Sequence, residues 1–291
     1  MPVSLCQGDW ELTLRPDLGG AIGRLRHRDR DLLRPTPDDA DDALGTACFP
    51  LVPYANRIGH GRFVFDGEPV RLRPNFGDHP HSLHGVGWRS AWTIEDVGSD
   101  YAKLSHAHAG DTDWPWDYRA CQTVRIEPDC LQFTLEMTNE SGRPMPGGLG
   151  FHPYFVTARG SRLRFSSRRL WQTDEDQLPT RADPPDCLAD WENGADCHPQ
   201  GLIDHCYSGW QGDAVLQTPA GEIVMSAIGA HALHVHIPPG KNIVGLEPVT
   251  HMPDAVNRHE SAADTGLRIL APGGTLHLSM RIAMRPAPYR L

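Results

Sequence analysis

The stretch CLQFTLEMTN, Cys130 to Asn139, alternates with a period of two. Leu131, Phe133, Leu135 and Met137 fall on one side, and Gln132, Thr134, Glu136 and Thr138 on the other. Successive side chains of a strand point to opposite faces, so the stretch reads as a half-buried antiparallel strand. TLHLSMRIAM, Thr275 to Met284, repeats the pattern, with Leu276, Leu278, Met280 and Ile282 set against His277, Ser279, Arg281 and Ala283. Shorter runs of the same kind are WELTLRP, GRFVFDG, AWTIEDV, YAKLSHA, CQTVRIEP, EIVMSAI, ALHVHIP and NIVGLEP. Turn formers stand between them, among them Asp66-Gly67, Pro128-Asp129, Ser141-Gly142, Pro238-Pro239-Gly240 and Pro272-Gly273-Gly274. No segment sustains a 3.6-residue apolar stripe for three turns, although HESAADTG near residue 260 has room for one or two turns of helix. Many closely spaced strands without intervening helices predict an all-β fold, a large antiparallel β-sandwich rather than a βαβ arrangement.

The 291 residues are long for one core, yet all-β sandwiches reach this size as one unit, and a single domain over 1–291 is expected. Its 29 glycines and 26 prolines are scattered, which fits many turns rather than a disordered tail. Asp174 to Gly201 is polar and rich in Pro, Asp and Cys, and reads as a long surface excursion. A net charge of −10 without a Lys/Arg block argues against nucleic acid, because binding there draws on counterion release by cations. No apolar run approaches the roughly 20 residues that span a bilayer, and the N-terminus lacks the basic and apolar regions of a secretory signal. The seven cysteines are widely spaced with no C-x-x-C, which suits reduced thiols and a cytoplasmic location. Asn139-Glu140-Ser141 matches a glycosylation sequon but reads as a turn.

His152 stands out in GLGFHPYF. A lone histidine among aromatics is commonly a satisfied core residue; Gly147, Gly148 and Gly150 before it and Pro153 after it instead suit a positioned imidazole at a strand end. Glu247 follows the apolar run Ile243 to Leu246. A carboxylate there must be paired, hydrogen-bonded or raised in pKa, so it is either an ion-pair partner of an arginine or a general base. Pro248 is expected to end strand pairing and leave Glu247 at a mouth. His79, His81 and His84 lack zinc spacing, so no metal is expected, and His84 reads as a binding residue. His234 and His236 share one face of ALHVHIP and read as a polar strand face. Arg57, after Tyr54-Ala55-Asn56, offers a planar fork for oxygens or a surface ion pair. Asp204, in GLIDHCYSGW, is either a turn cap or a carboxylate beside aromatics. Nucleophile-elbow, phosphate-loop and dinucleotide motifs are absent from the sequence.

In order along the chain, NRIGHGRF, LHG followed by a tryptophan, GFHPYF, and GLEP with PDA downstream resemble the aldose 1-epimerase (mutarotase) family, over roughly Leu14 to Arg285. The resemblance implies a galactose-mutarotase sandwich with a sugar cleft on one sheet. It also implies His152 as general acid, Glu247 as general base, and Arg57, His84 and Asp204, with the adjoining Asn56, as binders of sugar hydroxyls. Three departures stand out: Val86 where the family's LHG continues with a second glycine, Val156-Thr157 after the HPYF motif, and an IDHCY form of the aspartate motif.

Mutarotation needs no cofactor. A base takes the anomeric O1 proton, an acid protonates the ring oxygen, the ring opens, C1–C2 rotates and the transfers reverse. A carboxylate beside His152 is expected to raise its pKa and widen a bell-shaped pH profile. A monosaccharide is the expected partner, with the chain a monomer or homodimer. Three alternatives stand beside a mutarotase of a free aldose. One is an epimerase of an anionic hexose, a 6-phosphate or sulfonated sugar, read by cations such as Arg71, Arg73, Arg89 or Lys241. Another is a sugar-binding protein without catalysis. The third is a hydrolase, which would ordinarily use two carboxylates.

Overall fold

The computed structural model describes residues 2–285. The two longest alternating stretches pair antiparallel, with Leu131 opposite Ile282, Phe133 opposite Met280 and Leu135 opposite Leu278. Their apolar sides therefore coincide, and all six side chains are buried. They lie at the centre of a nine-stranded sheet. It runs from Thr93–Val97 through Tyr101–His108, Tyr118–Glu127 and Cys130–Asn139 to Thr275–Arg285, then Gly221–Ile228, Asp213–Thr218, Arg162–Phe165 and Ala195–Asp196. An eight-stranded sheet packs against it, with Arg169–Thr173, Ile203–Ser208, Ala232–Ile237 and Ile243–Val249 as neighbours. The two share one core, in which Phe133 of the first sheet meets the Phe151 ring of the second at 6.0 Å. A four-stranded sheet from Val3–Gln7 to Arg30–Asp31 adds Leu5, Leu12, Leu14 and Leu25 to that core. Among the described residues, helix is confined to short 3-10 turns and one turn at Ala262–Thr265, inside the HESAADTG stretch and closed by Gly266 at φ 76°.

Two sequence expectations change. Asp174 to Gly201 is more than a surface excursion. Pro179–Asp183 extends the eight-stranded sheet and Ala195–Asp196 the nine-stranded one. Between them Trp191 is buried, stacks on Phe165 at 5.4 Å and donates its indole N–H to the Tyr207 hydroxyl. Nor does Pro248 end its strand, which continues to Val249 with Pro248 opposite Leu233. The Leu246 N–H reaches Pro153 O, so the position two residues on faces the same side, where the ladder is broken around His152-Pro153. A residue without an N–H fits that gap. Asn139 of the sequon is fully buried and its side chain bonds Arg143 O and Leu270 O, the turn role read from sequence.

Candidate functional site

Strand alternation divides the eight-stranded sheet into two chemistries. Leu233, Val235, Ile237, Val244, Leu246, Ile203 and Tyr207 join the sandwich core. The residues between them, Asp204, Cys206, His234, His236 and Glu247, therefore face the other way. There a second, smaller apolar cluster surrounds them, including Phe49, Trp88, Tyr154, Trp171 and Cys206. Register then sets the polar groups side by side: Asp204 lies opposite His236, and His234 lies between Cys206 and Glu247. Gly245, opposite His236, leaves room for rings, since a Cβ there would stand 3.2 Å from His236 Cβ and 3.7 Å from His152 Cε1.

His152 enters this face from the break between Gly150–Phe151 and Tyr154–Val156. Its backbone N–H is held by Phe49 O at 3.0 Å and its ring stacks on Phe49 at 4.8 Å. Nε2 lies 3.1 Å from Glu247 Oε1 and 3.4 Å from the Tyr154 hydroxyl, and Tyr154 is itself covered by the Arg34 guanidinium at 3.6 Å. Both members of the pair are almost wholly buried, with side-chain exposures of 7 % and 2 %. Glu247 thus meets an imidazole rather than an arginine, and it is buried rather than left at a mouth.

The binding candidates converge on the same place. Asn56 accepts from the Arg57 N–H and from Arg57 Nη1 through Oδ1, and Arg57 Nη2 lies 3.7 Å from Asp204 Oδ2. Asp204 Oδ1 accepts from His234 Nε2 at 2.7 Å and faces His236 Nδ1 at 3.3 Å, so Asp204 is an anchor within a strand and not a turn cap. The Asn56 N–H donates to His84 Nδ1 at 3.0 Å. That bond fixes neutral His84 with its proton on Nε2, a donor beside the His152 ring, whose centroid is 5.5 Å away. Asn56 and His84 both adopt left-handed backbone, φ 60° and 57°. His81 is taken up by backbone instead, with Nδ1 accepting from the His60 N–H and Nε2 donating to Asp176 O. Among the described residues, His152 Nδ1, Glu247 Oε2, His234 Nδ1 and Arg57 Nε are buried without a protein partner. Such atoms call for hydrogen-bonding company.

Burial drives the titration of the pair. It pushes His152 well below the ordinary imidazole value, helped by His84, His236 and His234. It lifts Glu247 well above the ordinary carboxylate value, with Asp204 adding and Arg57 opposing. The expected rise of the His152 pKa beside a carboxylate is therefore reversed, because desolvation outweighs the attraction. Burial also lowers His84 to about 3, with the Arg57 charge second. Burial alone would raise Asp204, but hydrogen bonds from His234 and His236 hold it well below the carboxylate range.

The aldose 1-epimerase family profile matches residues 4–283. The chain belongs to the aldose 1-epimerase family. Among its relatives, the uncharacterized protein YphB of Escherichia coli K12 is 30 % identical over 91 % of this chain and 93 % of its own length. An aldose 1-epimerase of Haemophilus influenzae is 29 % identical over 40 % of this chain and 35 % of its own. A crystal structure of a candidate aldose 1-epimerase from Escherichia coli K12 superposes with a TM-score of 0.90 at 28 % identity, covering 98 % of this chain and 99 % of that one. A galactose mutarotase-like protein of Clostridium acetobutylicum shares the fold, with a TM-score of 0.85 at 18 % identity, over 98 % and 95 % of the two chains.

Two of the departures from the aldose 1-epimerase motifs have local explanations. Gly85 sits at φ 74°, where a Cβ would lie 2.4 Å from Val52 O, so the first glycine of LHG is required. Val86 has right-handed backbone, φ −107° and ψ −34°, which any residue adopts. The IDHCY form seats Asp204 across from His236 all the same. Sequence reading missed that His234 and His236 belong to this cluster. Their spacing placed them on one face, but only strand register puts that face beside Asp204 and Glu247.

Proposed function

We propose that the chain interconverts the α and β anomers of a free, neutral aldose by acid–base ring opening and closure. The observation that carries this reading is the buried 3.1 Å contact between His152 and Glu247. O1 and O5 of a cyclic aldose are both bonded to C1, so the groups serving them must stand close together. Two carboxylates flanking a glycosidic bond would be set about 5 Å or more apart. With one proton on the pair, its two tautomers are the two halves of the cycle. Imidazolium and carboxylate open the ring, His152 protonating O5 while Glu247 takes the O1 proton. The neutral imidazole and carboxylic acid that result close it, Glu247 returning a proton to O1 and His152 taking one from O5. Arg57, His84, Asp204 and Asn56 hold sugar hydroxyls around this centre.

A neutral substrate is favoured by where the other cations lie. Arg73 is paired with Asp113 at 2.7 Å. Among the described residues, none of Arg71, Arg73, Arg89 or Lys241 bonds to a member of the cluster.

Polarimetry of freshly dissolved D-galactose, D-glucose and D-xylose tests the reading. Wild type should accelerate equilibration of at least one of them, and His152→Ala and Glu247→Gln should each slow the catalysed rate by about 10²–10⁴-fold. Full activity of either variant would reject the acid–base assignment. Inactivity of wild type on every neutral aldose, with exchange on a hexose 6-phosphate, would move the substrate to the anionic class.

A further inference from the structure

The turn 174–178 carries no assigned role, yet it is built with care. Gln177 N–H donates to Asp174 O at 3.0 Å, and Leu178 N–H to Asp174 Oδ1 at 2.9 Å. Two outside groups fasten it. His81 Nε2 donates to Asp176 O at 3.1 Å. On the other flank Arg258 donates to Pro179 O at 2.7 Å while its guanidinium lies over Trp171 at 5.3 Å. Held this way, Gln177 takes φ 63°, the left-handed backbone it shares with Asn56 and His84. Asn and Asp relieve that conformation with short side chains that bond locally. Glutamine has no such local compensation, so the surrounding contacts impose the conformation. Its consequence is a side chain that crosses to Arg57, with Oε1 accepting from Nη2. Arg57 is thereby clamped among Asn56, Gln177 and Asp204. The carboxamide oxygen is engaged, and its N–H₂ group has no acceptor among the described residues, on a side chain that is only half-buried.

We infer that Gln177 is a specificity-determining residue of the sugar site. Its carbonyl positions Arg57, and its amide N–H donates to an aldose hydroxyl lying at the Arg57 end. The inference rests on the aldose reading above and deepens it.

The test compares wild type, Gln177→Ala and Gln177→Glu on D-glucose, D-galactose and their monodeoxy derivatives, measuring kcat and KM for anomer exchange by NMR. Glutamate keeps an acceptor for Arg57 but has no N–H to give. The expected result is that both variants raise KM about tenfold for sugars retaining one particular hydroxyl. Gln177→Glu, which keeps the acceptor for Arg57, should leave KM unchanged for the derivative lacking it, with kcat altered less than about twofold, while Gln177→Ala, which also frees Arg57, should lose further on every sugar. Equal losses on every sugar in the glutamate variant, or a glutamate variant with the wild-type ranking, would overturn the direct contact. A melting temperature measured on each variant separates these outcomes from misfolding. If wild type exchanges no aldose, the parent reading fails independently. Saturation-transfer NMR binding of the same sugars then decides the inference: loss of hydroxyl discrimination in both variants supports it, and unchanged discrimination overturns it.

Discussion

His152 and Glu247 are pushed in opposite directions by the same burial, the imidazole down and the carboxyl up. The one-proton state of the pair is then bounded by a second protonation of His152 in acid and by loss of the Glu247 proton in alkali. The rate should therefore be bell-shaped, with an acid limb below the ordinary imidazole value of 6.5 and an alkaline limb above the ordinary carboxylate value of 4.5. Polarimetric rates across pH check this, and an acid limb at or above 6.5 would contradict it. Asp204 raises Glu247 by its charge. Asp204→Asn removes that charge, so the alkaline limb should move to lower pH; an unmoved limb would show that the two carboxylates are not coupled. At this scale the sequence was partly legible. His152 and Glu247 could be named because glycines, a proline and an apolar run surround each of them. The direction of their titration could not, because it depends on burial to which residues distant in the chain contribute, such as Phe49 stacked on His152.

Strand alternation is what makes the Ala232–Ile237 and Ile243–Val249 strands serve two purposes at once. Gly245 is a close point of that arrangement. Gly245→Ala should slow anomer exchange by an order of magnitude or more while costing about 1–3 kcal/mol of stability, since the added methyl presses on His236 and approaches the His152 ring. Kinetics and urea denaturation on the same variant separate the two effects. The strands themselves were readable from period-two patterns in Cys130–Asn139 and Thr275–Arg285, where apolar and polar residues differ sharply. Pro248 misled because proline was judged without knowing which edge of the ladder it would face. The 174–201 segment misled because its polar composition hides Trp191, which only a packed neighbour such as Phe165 reveals.

Over the whole molecule, several imidazoles are stored neutral. Burial holds His84 at about 3, and His106 and His251 at about 4. In the unfolded chain each would titrate near 6.5, so below that pH the unfolded state binds more protons and stability falls with falling pH. Between pH 7 and pH 4.5 the protein should lose several kcal/mol, roughly 2–3 kcal/mol for each such histidine. Urea midpoints at the two pH values measure it, and a flat profile would argue against neutral burial. The nine-stranded, eight-stranded and four-stranded sheets contribute to one apolar cluster. Tryptophan fluorescence and far-UV circular dichroism are accordingly expected to report a single coincident unfolding transition; two separated transitions would divide the chain into domains.

The division of the eight-stranded sheet into a core-facing set and a set facing the polar cluster bears on how such a protein can evolve. Each set occupies alternate positions, so a substitution in one leaves the other in place. Chemistry on the polar face can drift by point changes at Asp204, His234, His236 or Glu247 while the scaffold stays intact. A one-residue insertion or deletion within these strands would exchange the sets and drive imidazoles and carboxylates into the sandwich interior. Lineages descending from this chain should therefore vary in length at the rim, in turns such as 174–178, and hardly at all within the strands beneath.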